Sequence, residues 1–304
     1  MITEFLHYYE VARKMQSMKF EGNPNGYTQE DIADDLAFNV PIYDVINRRY
    51  AAFSSFTEAV WYKQKDPKGN GNIFKSNTVP HDYNFATLCY LFRLCGSGIN
   101  YVPSQDGNII GTHGFGNFWL VDSILNGYYR RDSWLNLLPE SKFCDVKGYL
   151  LPMIKGGIRP FIMDHSYDLV DEIWNEINTH KYGIADIVDL GNHWLRSRGF
   201  KRQNFVLCAF AMDLAEYFPH LVSRDSDVLL GSNAVKCYKQ IFEGRKNTKS
   251  EHNKALEELC EMTGNLSEKY SMEDVMCDFI RYYENYQSPD HIKANNGIKY
   301  YNSL

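Results

Sequence analysis

Four of the seven residues from Arg196 to Arg202 are cationic (Arg196, Arg198, Lys201 and Arg202), although the chain carries a formal net charge of −6. They lie in LRSRGFKRQ, around Gly199, at what reads as the start of an apolar helix. Backbone N–H groups at a helix N-terminus favour an anion, and lysine and arginine beside them add a salt-sensitive attraction to a nucleic-acid backbone. Ser197, Arg198, Gly199, Arg202 and Gln203 are the candidate phosphate contacts. A solvated charged loop between two helices accounts for the same composition. Downstream, Asp225 and Asp227 precede GSNAVK at Gly231–Lys236. Carboxylates so placed are candidate catalytic groups, Asp227 first and Asp225 its understudy. Capping of a helix that starts between Val228 and Ala234 is the plainer role. Gly231, Ser232, Asn233 and Lys236 could hold a second phosphate at a helix start, or could simply cap it.

Other chemistries find little support. HGFGNF at His113–Phe118 has GxG without the third glycine of a dinucleotide site, and no Walker-type GK[ST] occurs. The histidines form no HxxxH pair and the cysteines no CxxC pair, so neither a metal nor any other cofactor is expected. MDHS at Met163–Ser166 reads as a cap for the helix that follows. No GxSxG elbow supports a serine nucleophile. The seven cysteines are scattered in apolar surroundings and read as reduced core residues; an iron–sulfur centre would need four of them closely spaced.

The elements that must position these residues are helical. SMEDVMCDFIRYYENY sets Met272, Val275, Met276, Phe279, Ile280 and Tyr283 on one face, with Ser271 and Asp274 as its N-terminal cap. Similar stripes occur in TEFLHYYEVARKM, NFATLCYLFRL, DLVDEIWNEI and NFVLCAFAMDLAEYF, so the fold is expected to be mainly α. Loops are expected at Asp66–Asn72, around Val102–Gly116 and at Glu243–Asn253, and the residues from Gln287 read as a frayed tail. NIIGTHGFG at Asn108–Gly116 could be a short strand or a loop.

At 304 residues the chain can bury a substantial core. Its acidic balance argues against a protein that coats nucleic acid non-specifically, while permitting a local basic face. The N-terminus, MITEFLHYYE, lacks the positive region of a signal peptide, and no apolar run is long enough to span a bilayer. A cytoplasmic protein without membrane association is expected.

The Leu195 segment resembles the helix-hairpin-helix of the endonuclease-III-like DNA glycosylases, whose usual form is L-x-G-x-G followed by a cationic or polar residue. Leu195 and Gly199 match, Ser197 replaces the first glycine, and Lys201 falls at the offset of the reactive lysine. Asp227 takes the place of the catalytic aspartate, at a somewhat longer spacing. A second resemblance follows the order FATLCYLFRLCG (85–96), GFKRQNFVLCAFAMDL (199–214), GSNAVKCYKQIF (231–242) and SMEDVMCDFIRYYENYQ (271–287). That order is similar to the α-glutamyl/putrescinyl-thymine pyrophosphorylase family, and FNVPIYDVINRR (38–49) partly resembles its N-terminal block. The resemblance implies a two-lobed helix-hairpin-helix glycosylase-like fold. Here that means an N-terminal lobe over 1–180, a hairpin lobe over 181–287 and a tail over 288–304.

It also implies a function. The family includes phage enzymes that place amines on thymine in DNA and bacterial anti-phage glycosylases that remove glucosylated hydroxymethylcytosine. The expected partner is double-stranded phage DNA carrying modified pyrimidines, from which a base is flipped and excised. Transfer of an amine or amino acid in place of pyrophosphate on an activated hydroxymethyl base is the alternative, and a non-catalytic DNA-binding protein is the third reading. In this frame Asp227 directs the chemistry and Lys201 is either a Schiff-base nucleophile or a phosphate contact. Asn39, Arg93, His113 and Asn117, polar residues in apolar or glycine-containing blocks, are the candidate lining of a base pocket.

Overall fold

The apolar stripes of the sequence become helices in a computed structural model, which describes residues 1–31, 46, 82–83, 86–87, 89–90, 93, 101–103, 109–111 and 165–286. Among the described residues the structure is mainly helical. Its helices are α1 (Ile2–Phe20), α2 (Tyr167–Thr179), α3 (Ile184–Ser197), α4 (Asn204–Tyr217), α5 (Ser232–Ile241), α6 (Lys249–Met262) and α7 (Lys269–Tyr286). Strands β1 (Tyr101–Pro103) and β2 (Ile109–Gly111) pair antiparallel, with Val102 opposite Ile110, so the start of NIIGTHGFG is strand. Strands β3 (Tyr182–Gly183) and β4 (Val222–Ser223) form a short parallel bridge. The expected loop at 66–72 lies outside the described residues.

The chain divides into two units: Met1–Ser54 with Asp227–Leu304, and Ser55–Ser226. In the first, α7 is the central element. Met272, Val275, Met276, Phe279 and Ile280 are fully buried, as the stripe demands, and α5, α6 and α1 pack on that helix. Phe279 takes Phe5 and Tyr8 of α1 edge-on, with ring centroids 5.2 and 5.4 Å apart. Each such ring contributes roughly 1.5–3 kcal/mol by burial. The helix begins two residues earlier than its expected cap: Met272 N–H donates to Glu268 C=O at 2.9 Å, which leaves Ser271 inside the first turn. The expected loop at Glu243–Asn253 is helical from Lys249, because Thr248 Oγ1 accepts the Glu251 N–H at 3.3 Å and starts α6.

In the second unit α4 is the buried helix. Every residue from Val206 to Glu216 is buried, with α3 packed beside it. Gly191 on α3 permits the close approach, since a Cβ there would lie 2.7 Å from Leu207 Cδ2. The start of α3 is closed by a residue far along the chain: Ile184 N–H donates to Ser226 Oγ at 2.7 Å, and Gly183 N–H donates to the Asp186 carboxylate at 3.0 Å. Ser166 stands directly before α2, yet its side chain makes no cap hydrogen bond there.

This division differs from lobes over 1–180 and 181–287. Position 180 lies between α2 and β3, inside one packed unit, and α1 shares the other unit with the C-terminal helices. The tail over 288–304 lies outside the described residues. Cys89, Cys208, Cys237 and Cys260 are buried and outside any disulfide, as core thiols should be; burial pushes Cys260 up to about 11 and raises Cys237 as well.

Candidate nucleic-acid interface

The basic turn joins α3 to α4, but Gly199 ends a helix rather than starting one. Phe200 N–H donates to Leu195 C=O at 2.9 Å and Gly199 N–H to Arg196 C=O at 3.0 Å, the paired bonds of a Schellman motif. Gly199 has φ +80°, the left-handed region that a residue with a Cβ enters at a cost. The anion-favouring N-terminus expected at Gly199 is therefore absent. Arg196 and Arg198 sit instead at the negative C-terminal end of α3, where a cation is favoured by a few tenths of a kcal/mol or more.

Arg196, Arg198, Lys201 and Arg202 are all exposed, and among the described residues none of them forms an ion pair. On the exposed face of α3, Asp186 and Asp189 give way to His193 and Arg196, so positive charge gathers at the turn. The Arg198 guanidinium carbon lies 3.9 Å above the centroid of the Trp194 ring, and its Nη1 donates to Ser197 Oγ at 3.1 Å. Ser197 Oγ in turn donates to Trp194 C=O at 2.7 Å. Phe200 meets His165 edge-on at 4.7 Å, and His165 lies 6.5 Å from Trp194. Charged and flat groups are thus layered on one turn.

Several expected contacts are corrected here. Gln203 is only 2% exposed and its Oε1 accepts from the Tyr90 hydroxyl at 2.9 Å, so its side chain faces the core and not a phosphate. Its backbone N–H donates to Asn192 Oδ1 at 2.8 Å, while Asn192 Nδ2 donates to Asn204 Oδ1 at the same distance. Asn192, buried on α3, thereby satisfies the start of α4 from within. Ser197 spends its hydroxyl hydrogen on its own helix. Arg93, a candidate for the base pocket, is engaged within the chain: its side chain, 11% exposed, makes a bidentate pair at 2.7 and 2.8 Å with the fully buried Asp213 of α4. Asn39, His113 and Asn117 lie outside the described residues.

Asp227 belongs to the other unit. It is 52% exposed rather than buried, and Lys249 and Lys269 place their Nζ atoms 3.9 and 4.0 Å from its oxygens. At that range both lysines attract the carboxylate without hydrogen-bonding it. Asp227 does not cap α5, which starts at Ser232 behind Gly231. The next residue is clamped: Val228 N–H donates to Asn253 Oδ1 at 2.8 Å, and Asn253 Nδ2 donates back to Val228 C=O at 3.1 Å. Asp225 is exposed.

The second phosphate site is also revised. Gly231 N–H at the start of α5 donates to the buried Glu273 carboxylate at 2.8 Å, so the chain supplies its own anion where a phosphate was expected. Ser232 and Lys236 are exposed and Asn233 is half-buried, and the residue at the N-cap position is Gly231, which has no side chain to cap with. Sequence reasoning did not single out Arg196, exposed beside the same turn, or Asn192, Asn253, Asp213 and Glu273 as supports. A polar residue inside an apolar stripe is the available signal: Asn192 stands among Leu190, Gly191, Trp194 and Leu195, and Asn253 in line with Leu256 and Cys260.

No helix of the described residues is long and apolar enough to cross a membrane. No family model matches the chain, and neither a curated protein nor a solved structure does.

Proposed function

We propose that the chain grips the DNA backbone through the α3–α4 turn and is a glycosylase that excises a hypermodified pyrimidine, such as glucosylated hydroxymethylcytosine in phage DNA, as an anti-phage defence. The observation that carries the reading is the set of four exposed cations without an ion-pair partner among the described residues, on one helix-joining turn of a chain with net charge −6. Cations that serve a fold are usually paired nearby, as Arg93 and Arg245 are. Unpaired ones are available to phosphates, and each contact releases a counterion. The excision step rests on the helix-hairpin-helix resemblance and on Asp227.

Excision breaks the bond between the sugar C1′ and the base nitrogen; the bonding electrons leave with the base, and C1′ acquires oxocarbenium character before water adds. A carboxylate opposite that carbon lowers the barrier. Asp227 suits the role in two respects: Asn253 fixes the backbone of its neighbour, and the Asp227 carboxylate accepts no hydrogen bond within the described residues. Lys201, exposed at the turn, serves as a phosphate contact, and water is the nucleophile.

The test is mass spectrometry of nucleosides and released bases after incubation with DNA containing hydroxymethylated, glucosylated or pyrophosphorylated pyrimidines. Free modified base with an abasic strand supports excision. A nucleoside that gains mass only with added amine replaces excision by transfer. Unaltered DNA that is nevertheless bound leaves a clamp without chemistry, and absence of binding overturns the reading altogether.

A further inference from the structure

We propose that Arg198 is a stacking platform for an unpaired base, so that the α3–α4 turn prefers single-stranded or locally opened DNA over closed duplex. The inference deepens the DNA-binding reading above and rests on it.

Arg198 differs from its cationic neighbours in lying over an aromatic ring and being tied to a neighbouring hydroxyl. Its guanidinium carbon lies 3.9 Å above the Trp194 ring, and Trp194 is itself only 3% exposed, a fixed base for the stack. Ser197 Oγ accepts from Nη1 at 3.1 Å and anchors itself on Trp194 C=O at 2.7 Å, so the plane is fixed at its edge as well. Arg198 is nevertheless exposed. The guanidinium thus lies over the indole while the residue as a whole remains exposed, within reach of a second planar group. A residue needed only for charge gains nothing from this arrangement, because a flexible cation reaches a phosphate without it. Ordering a long side chain costs rotamer freedom, which a flat cationic surface can return when a ring lies on it.

Nucleic-acid bases stack on guanidinium planes and aromatic rings, and every base has a face to offer. In a closed duplex those faces are covered by neighbouring pairs; only an unpaired base exposes one. Phe200, two residues on and partly exposed, continues the apolar surface at the same turn, with His165 edge-on behind it. Arg196, Lys201 and Arg202 then track the phosphates on either side of the stacked nucleotide.

The experiment compares binding of the full chain, by fluorescence anisotropy, to a homothymidine strand, an abasic strand of the same length and a duplex of that length. The homothymidine strand is expected to bind about tenfold more tightly than the abasic one, the size of a single base–ring stack. Arg198→Lys keeps the charge and removes the plane. It should abolish most of that preference while leaving the salt dependence unchanged, whereas Arg202→Lys should preserve the preference. Equal binding of the base-bearing and abasic strands by the unaltered protein overturns the proposal, as does an Arg198→Lys variant that still discriminates. So does tighter binding of the duplex than of the homothymidine strand. In each of those cases the phosphate clamp stands. Absence of binding to all three overturns the clamp itself, and the platform with it.

Discussion

Whether a cation is available to a phosphate depends on the carboxylates around it, and Arg93 and Arg202 are opposite cases. Arg93 is held in two hydrogen bonds by Asp213, so Arg93→Met should cost about 3 kcal/mol of stability by removing a bidentate partner of a fully buried carboxylate. Denaturant unfolding reads that loss; a pocket role would instead leave stability intact and change activity. Asp227 is the reverse case, an exposed carboxylate with attraction but no hydrogen bond from its two lysines. Asp227→Asn should therefore leave folding and DNA binding unchanged while lowering excision about a hundredfold or more, with Asp225→Asn doing much less. Reversed effects in a single-turnover assay would reassign the role. His252 supplies a pH dependence. Desolvation, helped by Lys239, holds its imidazole below the usual histidine range, and its ring meets Tyr238 edge-on at 4.6 Å. The unfolded chain then binds the proton more tightly than the folded one, so stability is lost as pH falls through the unfolded value near 6.5. Urea unfolding at neutral and mildly acidic pH should show a smaller decline in His252→Gln than in the unaltered protein.

At the scale of elements, most helices were legible because their apolar stripes repeat at helical spacing, and α7 buries the residues its pattern names. The errors fell at helix ends. Gly199 read as a helix start because positive charge and glycine are common to N-terminal anion sites and C-terminal caps; only φ +80° and the bonds to Leu195 and Arg196 separate the two. The start of α5 was misjudged because its anion, Glu273, comes from α7, many residues downstream. Gln203 was misplaced for a related reason: its partner Tyr90 lies far upstream, and adjacency to basic residues hid a core position. Gly199 allows a direct check of the turn. No atom lies within 4 Å of a Cβ built there, so Gly199→Ala meets a conformational penalty alone. Thermal or denaturant unfolding should register a loss of about 1–2 kcal/mol, the cost of the left-handed region for a residue with a Cβ. A neutral result would mean that the turn adopts another conformation.

Across the whole molecule, charge balance and local charge make different demands, and their combination fixes how binding should respond to salt. A chain with 38 acidic and 32 basic residues repels a polyanion on average, so attraction must come from a region where cations outnumber nearby carboxylates. Among the described residues the α3–α4 turn is such a region, while cations elsewhere are often neutralised in place, as Arg245 is by Glu258 at 2.7 Å and Lys254 by Glu251 at 2.9 Å. The division into units was not legible in composition, since it depends on α1 meeting Phe279 of a helix at the far end of the described chain. The location of the charge was legible. If Arg196, Arg198, Lys201 and Arg202 each release one counterion, the logarithm of the binding constant should fall with the logarithm of salt concentration with a slope of about −3.6 on duplex and about −2.8 on a single strand. Replacing any one of the four by glutamine should bring the slope nearer zero by about 0.9 or 0.7 respectively, and replacing all four should remove measurable binding at physiological salt. Titrations across a salt series on both forms of DNA check this. A much steeper slope would place further contacts outside the turn, and a slope unmoved by the substitutions would remove the turn from the interface.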